Sequence, residues 1–248
     1  MATEALTPDI AVISLPRSVE RLMALRQRLG AADPGFTVIK GVDGLQFDPQ
    51  DLRSRGLLET SALSWPRGQL GCALSHLRCL LRCLRQNQPL MILEDDALLA
   101  PDWRTRLQPL LLEAPRDWDL LLLGWNLDSC LQLEWSEGIT LSALCQPRLP
   151  PAAQLQAALA SPGSHRWYRL HKALGLAGYV VSPAGAARIL SWALPLRTLP
   201  ITVPELPKRD CFSFDGQLNS LYPKLSTWVC VPPLVLGAND KQASLTAT

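Results

Sequence analysis

Short, continuous apolar runs separated by helical segments restrict the fold of this chain more than any other feature of its sequence. Three such runs are "IAVISL" at 10–15, "LMIL" at 90–93 and "LLLLGW" at 120–125. A strand that is apolar at every position is buried on both faces, which is typical of parallel sheets covered by helices. The sequence therefore predicts an α/β protein with a mixed, mostly parallel central sheet flanked by helices.

The first half of the chain alternates strands with helices. Ser18 is placed to cap a helix that reaches about Leu29, and "FTVIKGVDG" at 36–44 predicts a second strand followed by a tight loop. Residues 75–86 predict the clearest helix, because their leucines and arginines occupy separate faces. Parallel strands joined in this way need crossover helices, so the pattern agrees with the predicted sheet.

The second half is less regular. Prolines interrupt residues 126–169, and we expect a loop-rich insertion there with one short helix around 152–160. Order returns at "GYVVSPAGAARIL", where a strand ends at Val181, Ser182 caps a helix and Pro183 takes its first position. "FDGQLNSL" predicts a short helix and "TWVCVPPLV" a late strand.

Composition excludes several classes of function. The net charge is only +2, which gives no strong field for nucleic acid, so no nucleic-acid partner is expected. The start of the chain lacks a secretory pattern, and its apolar runs are too short to cross a bilayer. Seven scattered cysteines fit reduced thiols. We therefore expect a cytoplasmic protein.

Three consecutive acids, Glu94, Asp95 and Asp96, follow the run "LMIL" directly. Strand alternation would send Glu94 and Asp96 to one side and Asp95 to the other. Carboxylate oxygens suit hard cations such as Mn²⁺ or Mg²⁺, whereas a solvated strand end would also tolerate three charges. Ligands of open α/β sheets gather at the carboxyl ends of strands, which favours a cleft here. The residues alone leave both interpretations open.

Several segments resemble glycosyltransferase family 25, in matching order along the chain. They are "VISLPRSVER" at 12–21, "VDG" at 42–44, "GQLGCALSH" at 68–76, "ILEDDA" at 92–97, "DWDLLLLG" at 117–124 and "GYVVSPAGAARIL" at 178–190. The resemblance covers most of the chain apart from roughly 126–169. The family usually has Asn, Asp and Glu where this chain has Ser14, Glu20 and Gln69.

The resemblance implies a Rossmann-like nucleotide-sugar transferase fold of the GT-A type, formed by one domain over residues 1–248. Residues 1–125 would form the donor-nucleotide half, 126–169 the insertion and 170–248 the acceptor-side half. A divalent cation, Mn²⁺ or Mg²⁺, would be held by Glu94, Asp95 and Asp96, with Asp96 the first choice for direct ligation. The implied donor-site residues are Arg17 and Arg21 at the diphosphate, Asp43 and Gly44 beside the nucleoside, and Gly71, Ser75 and His76 from the "GQLGCALSH" segment.

Direct displacement also needs a base for the acceptor hydroxyl, usually a carboxylate. Asp215 resembles a late acidic position of the family and is the predicted base, with Asp210 in reserve. A role for Asp215 as a helix N-cap is an equal alternative. Trp125, at the end of a strand, could present a flat face to a sugar ring, although aromatic residues are more often core.

Helical spacing raises one further candidate metal site. His76, Cys79 and Cys83 fall on a broadly shared helix face, but the usual cysteine pair of a zinc site is missing. Buried apolar thiols are the simpler interpretation of Cys79 and Cys83.

The resulting prediction is a metal-dependent inverting glycosyltransferase. It would move a hexose, with galactose preferred, from a UDP-linked donor to a glycan, a lipid-linked glycan or a protein. Contact with the inner membrane face would suit a lipid-linked acceptor. The alternatives are an inactive carbohydrate-binding relative, motivated by Ser14 and Gln69, a metal-assisted hydrolase, and an anion-binding module that uses the arginine-bearing helix.

Overall fold

A computed structural model describes residues 7–30, 35–145, 148–203 and 207–238. Its strands are β1 (Asp9–Ser14), β2 (Thr37–Lys40), β3 (Leu90–Glu94), β4 (Ala97–Leu99), β5 (Leu120–Leu122), β6 (Cys130–Ser136), β7 (Ile139–Leu144), β8 (Arg166–Ala173), β9 (Gly178–Val181), β10 (Leu199–Ile201), β11 (Arg209–Cys211), β12 (Thr227–Val231) and β13 (Val235–Gly237). Its α-helices are α1 (Val19–Leu29), α2 (Pro49–Ser54), α3 (Arg67–Gln86), α4 (Trp103–Glu113), α5 (Ala152–Ala160), α6 (Pro183–Ala193) and α7 (Phe214–Leu218).

The central sheet has nine strands in the order β2-β1-β3-β9-β5-β12-β8-β6-β7. The pairs β1–β2, β1–β3 and β5–β12 are parallel, whereas β9, β8 and β7 run antiparallel to their neighbours. Strands β1, β2, β3, β5, β6 and β12 consequently point in one direction. The predicted α/β class with a mixed sheet flanked by helices is confirmed.

The sheet is buried on both faces because its strands are apolar at successive positions. In β3, Leu90 and Ile92 pack into one core, and Met91 and Leu93 pack into the other. The first core contains the apolar residues of α3, α6 and α7, and the second contains those of α1, α4 and α5. The molecule is thus built as three layers, helix on sheet on helix.

The chain changes direction across the sheet between β1 and β3. From β1 it passes through α1 to β2 on one side, and then returns through α3 to β3 on the other side. Because α1 and α3 belong to different cores, they diverge over the carboxyl ends of β1 and β3. Such a topological switch point leaves a crevice, which is where open α/β sheets bind ligands.

Two regions differ from the sequence prediction. The segment 126–169, expected to be loop-rich, contains the hairpin β6–β7 and the start of β8, which extend the sheet. Its short helix is present as α5. Helix α3 begins at Arg67, eight residues before the predicted start. The prediction is wrong at this end because Gly68 and Gly71 are helical in spite of their low helix propensity.

Of the two helix N-caps predicted in α1 and α6, only the one in α6 forms a side-chain capping hydrogen bond. Ser182 caps α6 by accepting the Gly185 N–H, as predicted. Ser18 occupies the N-cap position of α1, but its hydroxyl makes no capping hydrogen bond. Within the described part of the chain, every helix is too short or too polar to cross a membrane.

Candidate functional site

A cleft lies at the switch point and consists of two adjoining cavities. The first is lined by the ends of β1 and β3, by α1, by the loop after β2 and by α3. The second is lined by α3, the end of β3, the loop before β9, and α7. Four residues, Cys72, His76, Glu94 and Asp96, line both cavities. The acids therefore stand on the boundary between two compartments of one cleft.

Asp95 is directed away from that boundary. It lines the first cavity only, is 7% exposed, and accepts a hydrogen bond of 2.8 Å from Ser14 Oγ on its Oδ2. Its Oδ1 lies 3.5 Å from Arg21 Nη1. Burial raises the pKa of Asp95, and the Ser14 hydrogen bond and the Arg21 charge oppose that rise. Both oxygens of Asp95 thus already have partners, which makes this residue an anchor between β1, α1 and β3.

Glu94 is held by a buried histidine. His76 Nε2 lies 3.1 Å from Glu94 Oε1, and His76 Nδ1 lies 3.0 Å from the hydroxyl of Tyr179 on β9. A carboxylate accepts hydrogen bonds, so Nε2–H is the donor to Glu94, and with a neutral imidazole the Tyr179 hydroxyl is the donor to Nδ1. Burial raises the pKa of Tyr179 well above its usual value, which keeps that hydroxyl protonated. The Phe214 ring stacks on the His76 ring, with 5.8 Å between centroids.

The loop after β2 brings Asp43 to the first cavity. Asp43 forms an ion pair with Arg17 and accepts the Leu45 N–H at 3.1 Å. The Arg17 hydrogen bond is the main cause that lowers the pKa of Asp43. Ser75 on α3 fixes the loop, because its hydroxyl accepts the Val42 N–H at 2.8 Å and donates to the Gly71 carbonyl at 2.7 Å.

Gly44 and Gly71 are required for packing between the loop and α3. A Cβ on Gly44 would overlap the carbonyl of Arg67, and a Cβ on Gly71 would overlap the carbonyl of Val42. Gly44 lines the first cavity, whereas Gly71 is absent from the lining of both. These glycines bring two backbones together, a role for which the absence of a side chain is essential.

Asp215 faces the second cavity from the first turn of α7. Its Oδ2 accepts the Gly175 N–H at 2.7 Å, and its Oδ1 accepts the Gly216 N–H at 2.9 Å. The N-cap of α7 is Ser213, whose hydroxyl accepts the Gly216 N–H at 3.3 Å, so the alternative of Asp215 as N-cap is wrong. The carboxylate is fixed by backbone groups and lines the second cavity together with Glu94 and Asp96.

Negative charge converges on Cys72. Burial raises the pKa of its thiol well above the usual value, and the carboxylates of Glu94, Asp215 and Asp96 raise it further. Carboxylates from both sides of the cleft are therefore close enough to act on one atom. Cys79 and Cys83, by contrast, are fully buried in the first core, as the interpretation of apolar thiols predicted.

Two predicted site residues lie elsewhere. Asp210 is exposed on β11 and does not line either cavity. Trp125 packs against the first core and is likewise absent from both linings, although its neighbour Asn126 lines the second cavity. A strand end places a side chain near the cleft, but alternation decides whether that side chain faces it.

Three features of the cleft are not predicted from the sequence: Cys72, Asn126 and the Ser14–Asp95 contact. Asn126 follows β5 closely, so the rule that ligands gather at strand ends could have found it. Cys72 stands four residues before His76, a spacing that puts both on one face of α3. In the sequence, Ser14 is distinguished only by its departure from the family pattern.

The fold and the cleft together define a doubly wound α/β protein with a cleft at its topological switch point. The chain belongs to glycosyltransferase family 25, because the family model described as "Glycosyltransferase family 25 (LPS biosynthesis protein)" matches residues 7–204. A relative from Anopheles gambiae, named "Glycosyltransferase 25 family member", is 29% identical over 125 residues. That match covers 46% of this chain and 21% of the relative.

Among solved structures, one similar chain is that described as mannose-1-phosphate geranyltransferase from Thermus thermophilus. The sequence identity is 13%, the TM-score is 0.39, and the match covers 90% of this chain and 72% of that chain. A score this low has no bearing on function.

Proposed function

We propose that this chain is a metal-dependent inverting glycosyltransferase. It would move a hexose from a UDP-linked donor to a glycan, a lipid-linked glycan or a protein, and galactose is the preferred candidate for that hexose. The observation that carries the proposal is the pair of cavities that meet at Glu94 and Asp96. One cavity would take the donor nucleotide, and the other would take the acceptor. The bond to be exchanged would lie at their boundary.

The first cavity has the groups that a nucleoside diphosphate needs. Arg17 and Arg21 offer guanidinium groups, which suit phosphate oxygens. Their present partners are Asp43 and Asp95, so a diphosphate would exchange or share these ion pairs. Asp43 would then be available for a ribose hydroxyl or a base edge, because a carboxylate accepts such hydrogen bonds.

Glu94 and Asp96 fit a hard divalent cation. Both carboxylates line the cleft, and together with Asp215 they raise the pKa of the Cys72 thiol, which marks a concentration of negative charge. Asp95 fits less well, because both of its oxygens have protein partners. A bound Mn²⁺ or Mg²⁺ would supply positive charge to the diphosphate leaving group. His76 holds Glu94 in position for that role.

Asp215 is the proposed base. Its two backbone hydrogen bonds fix the carboxylate, and each oxygen keeps a lone pair for the hydroxyl of an acceptor in the second cavity. Asp215 would take the proton of that hydroxyl as the oxygen attacks from the side opposite the leaving group, which inverts the anomeric centre. The position of Asp210 outside the cleft favours Asp215 over that reserve.

Calorimetric titration with UDP-galactose, with Mn²⁺ and then with a chelator, tests the donor site. We expect binding with Mn²⁺ and a loss of at least tenfold in affinity with the chelator. Asp96→Asn should remove most of this difference, because a neutral amide is a poor ligand for a hard cation. A donor screen with other UDP- and GDP-linked hexoses would identify the sugar.

The matched control is Asp102→Asn, which removes an exposed carboxylate paired with Arg106 outside the cleft. This variant should bind the donor as the parent chain does. Equal affinity of the parent chain with Mn²⁺ and with chelator would refute the metal dependence. Failure of every nucleotide sugar to bind would refute the transferase proposal as a whole.

A further inference from the structure

The cleft contains a cluster of three side chains that offer a thiol, an imidazole and a carboxylate as possible metal ligands. Ligand atoms of Cys72, His76 and Glu94 all lie within 4.8 Å of one another. Cys72 and His76 are four residues apart on α3, so they project from one face of the helix towards the end of β3. Thiol, imidazole and carboxylate are the three protein ligands that zinc uses.

We propose that Cys72, His76 and Glu94 form a binding site for a transition-metal ion of intermediate softness, with Zn²⁺ the preferred ion. We further propose that an ion bound at this site inhibits sugar transfer. The ion would be bound by Cys72 Sγ, His76 Nε2 and one Glu94 oxygen. Zinc–ligand bonds of about 2.0–2.3 Å place tetrahedral ligands roughly 3.3–3.6 Å apart. Since the ligand atoms lie within 4.8 Å of one another, the widest pair would close by at most about 1.5 Å, a movement that side-chain torsions can supply.

The surroundings of His76 suit this role. Nδ1 faces the Tyr179 hydroxyl at 3.0 Å, and Phe214 stacks on the ring, so the imidazole has one orientation with Nε2 towards Cys72 and Glu94. When Nε2 binds an ion, the ring proton moves to Nδ1 and is donated to the Tyr179 oxygen. A partner of this kind on the second nitrogen is the usual support of a metal-bound histidine.

Charge and access also suit an ion. Glu94, Asp96 and Asp215 surround Cys72 with negative charge, which attracts a divalent cation, and the thiol would lose its proton to solvent on binding. All three ligands line the second cavity, so a fourth position is open to water. The sulfur and nitrogen donors distinguish this site from an all-oxygen site, because Mn²⁺ and Mg²⁺ prefer oxygen.

Inhibition follows because Glu94 belongs to both sites. A carboxylate drawn towards Cys72 and His76 is no longer placed for a hard cation on the donor. This second part rests on the proposed function, whereas zinc binding does not.

Cobalt is the spectroscopic probe for the site. Titration of the chelator-treated full chain with Co²⁺ should produce a near-ultraviolet thiolate-to-metal charge-transfer band. The band should be lost in Cys72→Ser and retained in the control Cys145→Ser, which changes another half-buried free thiol. Competition of Zn²⁺ against a chromophoric chelator should show affinity at least tenfold weaker for Cys72→Ser. No band in the parent chain, or an equal band in Cys72→Ser, would overturn the proposal.

A second measurement uses the unaltered chain and does not depend on how the variants fold. Zn²⁺ should protect Cys72, but not Cys145, from a maleimide reagent, as read by peptide mass analysis. The pH is set so that Cys72 is labelled in the zinc-free chain, and equal labelling of Cys72 with and without Zn²⁺ under that condition would also overturn the site.

The inhibitory part is tested by sugar transfer with saturating Mn²⁺, with each chain compared with its own zinc-free rate. Zinc should slow the parent chain and Cys145→Ser but not Cys72→Ser. Transfer that zinc slows equally in all three would refute inhibition through this site. A chain that binds zinc but transfers no sugar from any donor would refute the proposed function and leave the metal site standing.

Discussion

Gly44→Ala tests whether the loop after β2 depends on close backbone packing against α3. An added Cβ would overlap the Arg67 carbonyl carbon and oxygen and would lie 3.0 Å from the Gly68 nitrogen. All three atoms belong to the backbone of the first turn of α3, so no side-chain rotation can relieve the overlap. The loop would have to withdraw by at least about 1 Å to restore van der Waals separation.

The cost can be worked from the contacts that hold the loop. Withdrawal stretches the hydrogen bond of Arg67 Nε to the Gly44 carbonyl and that of the Val42 N–H to Ser75, each 2.8 Å long. Each bond contributes about 1 kcal/mol to stability, and overpacking strain adds roughly 1–3 kcal/mol. Partial relaxation trades strain against hydrogen bonds, so the free energy of unfolding should fall by about 2–4 kcal/mol.

Urea unfolding measures this loss, and calorimetry with UDP-galactose measures its effect on the site. Donor affinity should fall as well, because Asp43 precedes Gly44 and moves with it. Gly163→Ala is the matched control, since a Cβ at that position meets no atom within 4 Å. If Gly44→Ala and Gly163→Ala unfold within about 0.5 kcal/mol of each other, the packing argument is refuted.

Three further predictions concern single carboxylates. Asp119→Asn should lower the free energy of unfolding in urea by about 2–3 kcal/mol, because a fully buried carboxylate loses its ion pair with one guanidinium nitrogen that donates to both of its oxygens; an unchanged midpoint would contradict this. The ion pair with Arg17 holds the pKa of Asp43 below its usual value. Ionised Asp43 therefore stabilises the folded state at pH values above its unfolded pKa, and this stabilisation is lost as the pH falls through its folded pKa. Arg17→Gln should raise the Asp43 midpoint in a carboxyl NMR titration, and a midpoint that stays put would exclude the ion pair as the cause. Asp215→Asn should slow sugar transfer by about 10²–10⁴-fold at unchanged donor affinity, whereas Asp210→Asn should not; equal rates for the two variants would count against Asp215 as the base.

The position of the cleft could be predicted from the sequence because it depends on local patterns. Continuous apolar runs identify β1 and β3 as buried strands, and the acids follow directly at the end of β3. The order strand, helix, strand then implies that these ends meet at one edge of the sheet. Alternation also predicts that Asp95 turns away from Glu94 and Asp96, which agrees with the cavities that each of them lines.

The packing partners of Gly44 and Gly71 could not be predicted from the sequence. Gly44 and Gly71 signal that something approaches the backbone closely, but a glycine does not say whether a ligand or another segment approaches. In this fold the approaching segments are the Arg67 turn and the Val42 carbonyl. The sequence also does not predict that α3 begins at Arg67, because Gly68 and Gly71 have low helix propensity and are more typical of a loop.

The extension of the sheet in 126–169 left a weaker signal. In β6, Leu131 and Leu133 are buried and alternate with Gln132 and Glu134, which is the period of a half-buried strand. The run is short and prolines follow it, so the sequence predicts a loop there. The residues of β7 are exposed on both faces, and nothing in their burial would distinguish them from a loop.

Three adjacent acids are tolerable in this fold because their charges are distributed over different partners. Asp95 turns to Ser14 and Arg21, and Glu94 turns to His76, so these two carboxylates are held by polar groups from other elements. Asp96 stands on the cleft boundary, where its charge acts on Arg28 and on the Cys72 thiol. Neutralising Asp95 with a cation would be redundant, whereas Glu94 and Asp96 direct their negative charge into the cleft. That difference is why we propose Glu94 and Asp96, and not Asp95, as ligands of a hard cation, and why Cys72→Ser should abolish binding of the proposed zinc ion while it leaves the binding of Mn²⁺ intact.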